Sequence, residues 1–191
     1  MTSDQAVTLE DVRIGGSRIV LEPHNCFACG SLNATGMHLA IHVERDRSWT
    51  ELVLDRRFEG WDGIAHGGIL CALLDEVMAW ALVDSDHWGV TARIQVDFKR
   101  PVPIGRAIRG EGRVIEIRRR VVRTAGMLVD AADGTLLARA EGTFVAASDD
   151  QKQALKTRYG FRLERDAMPD TGDDDASDLT AGMLTAAGAP R

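Results

Sequence analysis

The residues with the clearest chemical potential are His66, Gly67 and Gly68, with Asp75 nine positions after the histidine. If a helix begins at the glycines, its first backbone N–H groups are unpaired and carry the positive end of the helix dipole. Such an end can hold the oxyanion that forms when a carbonyl carbon is attacked, and glycines leave the approach open. The alternative is a tight turn before the helix, in which glycine is used for a positive φ angle.

Asp75 is an ionisable carboxylate in an otherwise apolar segment, where it is costly unless it is paired or functional. Burial would raise the pKa of Asp75 and make it a competent base. The alternative is that Asp75 or its neighbour Glu76 points into solvent or forms a structural ion pair. Nine helical residues advance about 13 Å and rotate by about half a turn. Gly67 and Asp75 of one chain therefore cannot act on one substrate atom, and we predict a site shared between two subunits.

The segment that must position these residues, 66–83, is apolar on nearly every face and predicts a helix that is buried all round. Alternating patterns predict strands at 37–44 and 48–55, then in TARIQVDFKR, AIRGEGRVIEI, VVRTAGMLVDA and TLLARAEGTFVAA. We therefore predict an α+β fold with an antiparallel sheet of about five to six strands wrapped around one long central helix. One sheet cannot cover such a helix completely, so at least a homodimer is expected.

The chain of 191 residues is long enough for one domain with additional segments. We expect an N-terminal extension over residues 1–21, in which a hairpin around Gly15-Gly16 is one of two interpretations. The domain itself is expected to span residues 22–148. Residues 149–191 change to polar, acidic and then small residues, which predicts a short helix followed by a disordered tail.

Composition excludes several functional classes. The formal net charge of −6 disfavours a nucleic-acid partner. No stretch approaches the roughly 20 apolar residues of a membrane span, and the opening MTSDQAVTLEDV lacks the pattern of a signal peptide. Three cysteines do not describe a disulfide framework. These features predict a cytoplasmic protein that binds neither nucleic acid nor membrane.

Cys26-Phe27-Ala28-Cys29, with His24 before it and His38 and His42 beyond, has a spacing found in zinc sites. Because the chain has no second CxxC pair, two buried thiols beside a turn are the preferred interpretation, and neither a metal nor a cofactor is expected. Cys71 lies in the predicted helix and is expected to be a small buried side chain, not a nucleophile.

One basic cluster stands out in this acidic chain, formed by Arg118, Arg119, Arg120 and Arg123. Guanidinium groups bind phosphates well, so this cluster could hold the phosphates of a ligand. The alternative is a solvated strand end.

The segment GWDGIAHGGILCALLDEVMAWAL resembles the central motif of hotdog-fold acyl-CoA thioesterases, a family that includes the phenylacetic-acid-degradation thioesterase and the human thioesterase-superfamily members. The resemblance covers about residues 24–147 and includes CFACGSLNATGMHL, which is similar to a Cys-rich segment of one subgroup. It implies that Asp75 is the general base or nucleophile, and that His66 and Gly67 position the carbonyl and supply the oxyanion contact. Several relatives carry an asparagine six residues before the histidine, where this chain has Gly60.

The expected function is hydrolysis of acyl-CoA or acyl-carrier thioesters. Besides the arginine cluster, which could bind the phosphates of the coenzyme A nucleotide, the residues expected to contact substrate are Gly68, Trp61, Asp62 and Glu76. Asp62 or a water could take the role of the missing asparagine. Trp61 is close enough in sequence to His66 to border an acyl pocket. Two dimers could pair into a tetramer. The alternatives are a hotdog domain that binds acyl-CoA without turnover and a hotdog hydroxyacyl-thioester dehydratase.

Overall fold

A computed structural model of the protein describes residues 10–14 and 17–165. In chain order the elements are β1 (Glu10–Ile14), β2 (Ser17–Leu21), β3 (His42–Glu44), β4 (Arg47–Val53), a 3-10 helix (Arg56–Phe58), β5 (Glu59–Trp61), β6 (Ile64–Ala65), α1 (Gly67–Trp80), β7 (Gly89–Phe98), β8 (Ala107–Arg118), β9 (Val121–Asp130), β10 (Leu136–Ala146), α2 (Asp149–Arg158) and β11 (Arg162–Arg165).

The described strands form one large sheet in the order β11-β2-β1-β3-β4-β8-β9-β10-β7, and β5 and β6 form a separate hairpin. Every pair in the large sheet is antiparallel except β1 with β3. The predicted α+β fold is confirmed, because β3, β4, β8, β9, β10 and β7 are the six expected strands and α1 lies across them. The sheet is larger than predicted, since β1, β2 and β11 extend it at the β3 end.

Helix α1 lies very close to the sheet. Its buried side chains are Leu70, Leu73, Leu74, Val77 and Met78. The sheet beneath them carries glycine where the helix backbone comes nearest: a Cβ at Gly112 would collide with the carbonyl oxygen of Val77. The Ser48 hydroxyl donates a hydrogen bond to the same carbonyl oxygen. The helix is therefore fixed in position by backbone contact as well as by apolar burial.

The helix differs from its prediction in length and in burial. It ends at Trp80, three residues before the predicted end, and residues 81–86 form turns. In the single chain one face is not covered: Gly68 is exposed, and Cys71, Ala72, Asp75 and Ala79 are partly exposed. The prediction of burial all round, and with it that of a buried Cys71, does not hold for one chain. The uncovered face consists of small residues around one carboxylate.

The segments on either side of the predicted domain also join the sheet. Strands β1 and β2 pair in antiparallel register, and Gly15-Gly16, where the hairpin turn was one interpretation, lie outside the described residues. Helix α2 has a capping box at Ser148 and is followed by β11, which pairs with β2 and which the sequence did not predict. The expected disordered tail falls on residues 166–191, outside the described part of the chain. No helix in the described ranges is long and apolar enough to cross a membrane.

Candidate active site

The N-terminus of α1 is built by His66. Its backbone is extended (φ −66°, ψ 132°), and its Nδ1 accepts a hydrogen bond of 2.9 Å from the N–H of Gly68. The N–H groups of Ile69 and Leu70 donate to the carbonyl oxygen of His66 at 3.0 and 3.4 Å. Among the described residues the N–H of Gly67 has no acceptor, so it is the first-turn donor that remains available to an anion.

His66 contributes a second donor to the same place. Because Nδ1 accepts from Gly68, the ring proton of the uncharged imidazole lies on Nε2. The imidazole is exposed. The start of α1 therefore offers a backbone N–H and a ring N–H to a substrate oxygen.

Phe98, at the end of β7, lies against the glycine at the helix start. A Cβ added to Gly67 would be 3.4 Å from Cζ of the Phe98 ring. Phe98 is 52% exposed, so its ring lines an open surface beside the free Gly67 N–H. Phe98 could not be identified from the sequence, because an aromatic side chain in a predicted strand carries no specific signal.

Asp75 lies on the partly exposed face of α1 and is held by Thr91. The Thr91 hydroxyl, on β7, donates a hydrogen bond of 2.7 Å to Asp75 Oδ1. No ion pair among the described residues includes Asp75, so the alternative of a structural ion pair is not met within the described chain. Thr91 is a second residue that sequence reasoning missed, since a threonine near the start of a strand is ordinary.

The two parts of the site are separated within one chain. Helix α1 runs without interruption from Gly67 to beyond Asp75, and eight residues of α-helix advance about 12 Å. As the sequence predicted, the Gly67 N–H and the Asp75 carboxylate of one chain therefore cannot reach the same substrate atom.

The hairpin before the helix carries the residues expected near the acyl group. A Cβ at Gly60 would lie 3.0 Å from Cα of His66, so position 60 is directly beside the histidine. Trp61 is 85% exposed, and Asp62 is exposed in the turn between β5 and β6. In the single chain, these two side chains face solvent rather than an enclosed pocket.

The arginine cluster lies at the other end of the domain. Arg118 and Arg123 flank Glu116, with N–O distances of 2.7 and 3.8 Å, and Arg120 Nε donates to the Ala146 carbonyl oxygen. Arg119 occupies the turn between β8 and β9, at φ +55°.

The direction of β8 places this cluster relative to α1. Positions 110 and 112 of β8 face Leu73 and Val77 in turn, so strand and helix run the same way. The turn after β8 lies about 20 Å past position 112, beyond the C-terminal end of α1. One chain therefore does not bring the arginines to His66.

Glu76 is placed in a different environment from Asp75. Its Oε1 accepts a hydrogen bond of 2.8 Å from Trp80 Nε1, and both carboxylate oxygens are 4.0 Å from Cys26 Sγ. One ligating atom each of Cys26, Cys29 and Glu76 lies within 4.8 Å of the others. Burial raises the pKa of Glu76 to about 7, whereas a hydrogen bond from Cys29 lowers the pKa of Cys26 to about 5. Glu76 thus belongs to a cluster with the CxxC segment, which we call the Cys–Glu cluster.

Two grooves of about 420 and 480 Å³ lie on the sheet face away from α1. Glu111, Arg113, Arg139 and Glu141 are among the residues that line the first of them. Neither groove includes His66, Gly67 or Asp75, so neither belongs to the candidate site.

Comparison with known proteins gives a consistent result. Residues 62–137 match the family model of the thioesterase superfamily. A solved thioesterase superfamily protein is 27% identical with a TM-score of 0.59, over 63% of this chain and 60% of that one. The E. coli PaaI protein from the phenylacetic acid degradation operon is 17% identical with a TM-score of 0.52, over 55% and 75%. A hypothetical thioesterase from Streptococcus pneumoniae, crystallised with coenzyme A, is 17% identical with a TM-score of 0.52, over 55% and 84%.

No curated protein matches the sequence significantly. The family model and the solved structures nevertheless confirm both the hotdog fold and the resemblance drawn from the segment around His66.

Proposed function

We propose that the protein hydrolyses an acyl thioester, with acyl-CoA as its substrate class, because residues 62–137 match the family model of the thioesterase superfamily. The observation that carries the proposal is the pair of groups on α1: within residues 10–14 and 17–165, the Gly67 N–H has no acceptor and the Asp75 carboxylate has no ion pair. The first can stabilise a developing oxyanion and the second can act on the carbonyl carbon. The coenzyme A bound by the Streptococcus pneumoniae neighbour supports the choice of thiol.

The site is completed by a second copy of the chain. About 12 Å separates the two groups within one helix, so the helix start of one subunit faces Asp75 of its partner. Two features favour such a homodimer: the uncovered small-residue face of α1, and β7, which ends the described sheet with one unpaired edge. Each dimer would contain two equivalent sites.

In this mechanism the thioester carbonyl oxygen accepts one hydrogen bond from the Gly67 N–H and a second from His66 Nε2. Asp75 of the partner either takes a proton from the water that attacks the carbonyl carbon, or attacks that carbon itself to form an anhydride, which water then hydrolyses to the free acid. In both routes the C–S bond breaks as the tetrahedral intermediate collapses, and coenzyme A leaves as the thiolate. Thr91 fixes the carboxylate in orientation. The Streptococcus pneumoniae neighbour was crystallised as variants with an aspartate or a threonine changed to alanine; those positions are sixteen residues apart, as Asp75 and Thr91 are here.

The test is release of free thiol from a panel of acyl-CoA substrates. Asp75→Asn keeps the size and the Thr91 contact, and it should lower kcat by about 10²–10⁴-fold because a general base or nucleophile is removed. Asp84→Asn, just after the helix and exposed, is the matched control and should retain activity. Full activity of Asp75→Asn would overturn the proposal, and so would a wild-type protein whose melting temperature rises with acyl-CoA although no thiol is released.

A further inference from the structure

We propose that Cys26, Cys29 and Glu76 together bind a zinc ion. This site is independent of thioester hydrolysis, and it revises the expectation from sequence that the two thiols are simply buried beside a turn. Three features favour the ion: the shape of the cysteine loop, the distance from Cys26 to the carboxylate, and the lack of a lysine or arginine partner for Glu76 among the described residues.

The cysteine loop holds its two sulfur atoms in a fixed arrangement. The backbone N–H of Gly30 donates to the carbonyl oxygen of Cys26 at 3.0 Å, and the N–H of Leu39 donates to the carbonyl oxygen of Ala28 at 2.9 Å. A Cβ at Gly30 would collide with the carbonyl oxygen of His24, so only glycine fits after the second cysteine. These backbone contacts keep the two thiols side by side, as a shared metal ion requires.

Helix α1 supplies the third ligand from a residue 50 positions away. Both oxygens of Glu76 are 4.0 Å from Cys26 Sγ. In a tetrahedral zinc site with Zn–S near 2.3 Å and Zn–O near 2.0 Å, the sulfur and oxygen atoms are about 3.5 Å apart. A shift of about half an ångström would therefore bring this sulfur and oxygen to the separation that a shared zinc ion requires. Trp80 Nε1 already orients the carboxylate through its bond to Oε1.

The cluster gathers three acidic groups, and the basic side chain that acts on it electrostatically is His24, next to the cysteine loop. Among the described residues no lysine or arginine forms an ion pair with Glu76, and neither cysteine is in a disulfide. A desolvated carboxylate beside two thiols is costly unless a positive charge joins it. A divalent ion supplies that charge, and thiolate ligands select zinc over magnesium or calcium.

A disulfide between Cys26 and Cys29 is the competing explanation. It would use the two sulfur atoms but leave Glu76 desolvated with no lysine or arginine partner in the described part of the chain, so it does not account for the third member of the cluster. Zinc accounts for all three and leaves a fourth position for a water. The ion would also fasten the loop that contains Cys26 to α1, one residue from Asp75.

The experiment measures zinc by mass spectrometry in full-length protein purified without a histidine tag and dialysed after zinc addition. We expect about one zinc per chain in the wild type and a loss of most of it in Cys26→Ser, Cys29→Ser and Glu76→Gln. Cys71→Ser is the matched control, because Cys71 lies on α1 outside the cluster. It should bind zinc as the wild type does.

Two further measurements apply if the cysteine variants fold poorly. Removal of zinc from the wild type by a chelator should lower its melting temperature, and zinc should restore it. Cobalt added to the metal-free wild type should give the thiolate-to-cobalt absorption band. A wild type that binds no zinc or cobalt when reduced would overturn the proposal, and so would zinc retained in full by Glu76→Gln.

Discussion

Thr91→Val is the most informative substitution for the proposed mechanism. Thr91 donates the hydrogen bond of 2.7 Å that the structure gives to Asp75 Oδ1. Valine has nearly the same shape and the same branching at Cβ, so it suits the strand equally well. The change therefore removes the donor while it leaves Asp75 and the sheet in place.

The expected loss follows from the strength of that hydrogen bond. A hydrogen bond to a charged group contributes about 1.5–3 kcal/mol, and the exposed setting of Thr91 places this one towards the lower end. Each 1.4 kcal/mol of transition-state stabilisation corresponds to about a tenfold change in rate. We therefore expect kcat to fall about 10-fold, and at most about 100-fold. KM should change little, because Asp75 acts at the reacting carbonyl rather than on the distant nucleotide.

The assay is thiol release from the best acyl-CoA substrate, with the melting temperature measured for every variant. Thr91→Ser keeps the hydroxyl and should retain most of kcat. Thr143→Val, on the neighbouring strand β10 and lining the groove on the opposite sheet face, should behave as the wild type. The reasoning is refuted if Thr91→Val keeps full kcat, or if Thr91→Ser loses as much as Thr91→Val although both remain folded.

Three other predictions concern packing, pH and assembly. Gly112→Ala should lower the free energy of unfolding by about 2 kcal/mol or more in urea titrations, because the new Cβ would collide with the Val77 carbonyl oxygen. The control is Arg113→Ala, on the other face of the sheet, whose free energy of unfolding should stay within about 0.5 kcal/mol of the wild type. Partial burial raises the pKa of Asp86, but hydrogen bonds from Lys156 and Lys152 outweigh this effect and lower it. These hydrogen bonds therefore stabilise the fold above the ordinary aspartate pKa, and the stabilisation is lost as the pH falls through the lowered pKa. Asp86→Asn should therefore reduce the melting temperature at pH 7 more than at acidic pH, and an equal deficit at both would contradict this. Val90→Lys puts a charge on the exposed edge strand and should weaken the dimer in sedimentation experiments, whereas Val53→Lys, also on an exposed valine, should not.

Local sequence signals were sufficient for most of the fold. The apolar run after His66 predicted α1, and alternation predicted β7 to β10 within a few residues. The helix ends earlier than predicted because residues 81–83, although apolar, turn back towards the core: Ala81 and Leu82 are buried there. Strand β11 was missed because its only partner in the described sheet is β2, and a pairing across most of the chain leaves no mark in a local pattern.

Only some residues of the candidate site could be identified from the sequence, again because sequence patterns are local. The glycines and Asp75 could be found because each contrasts with its neighbours in sequence. Thr91 and Phe98 could not, since their importance arises only when β7 is placed beside α1. Glu76 was grouped with the substrate-binding residues, but its contact with Cys26 joins positions 50 apart, which only the folded chain reveals.

The pairing of β2 with β11 has a consequence for how the molecule folds. Ser17 lies opposite Arg165, so this contact closes a loop of about 150 residues, and such distant contacts form slowly because the chain must give up much entropy before they stabilise it. During synthesis the hairpin of β1 and β2 would emerge long before its last neighbour. Until β11 arrives, the outer edge of β2 has open backbone groups, and a ribosome stalled before residue 162 would leave an aggregation-prone nascent chain.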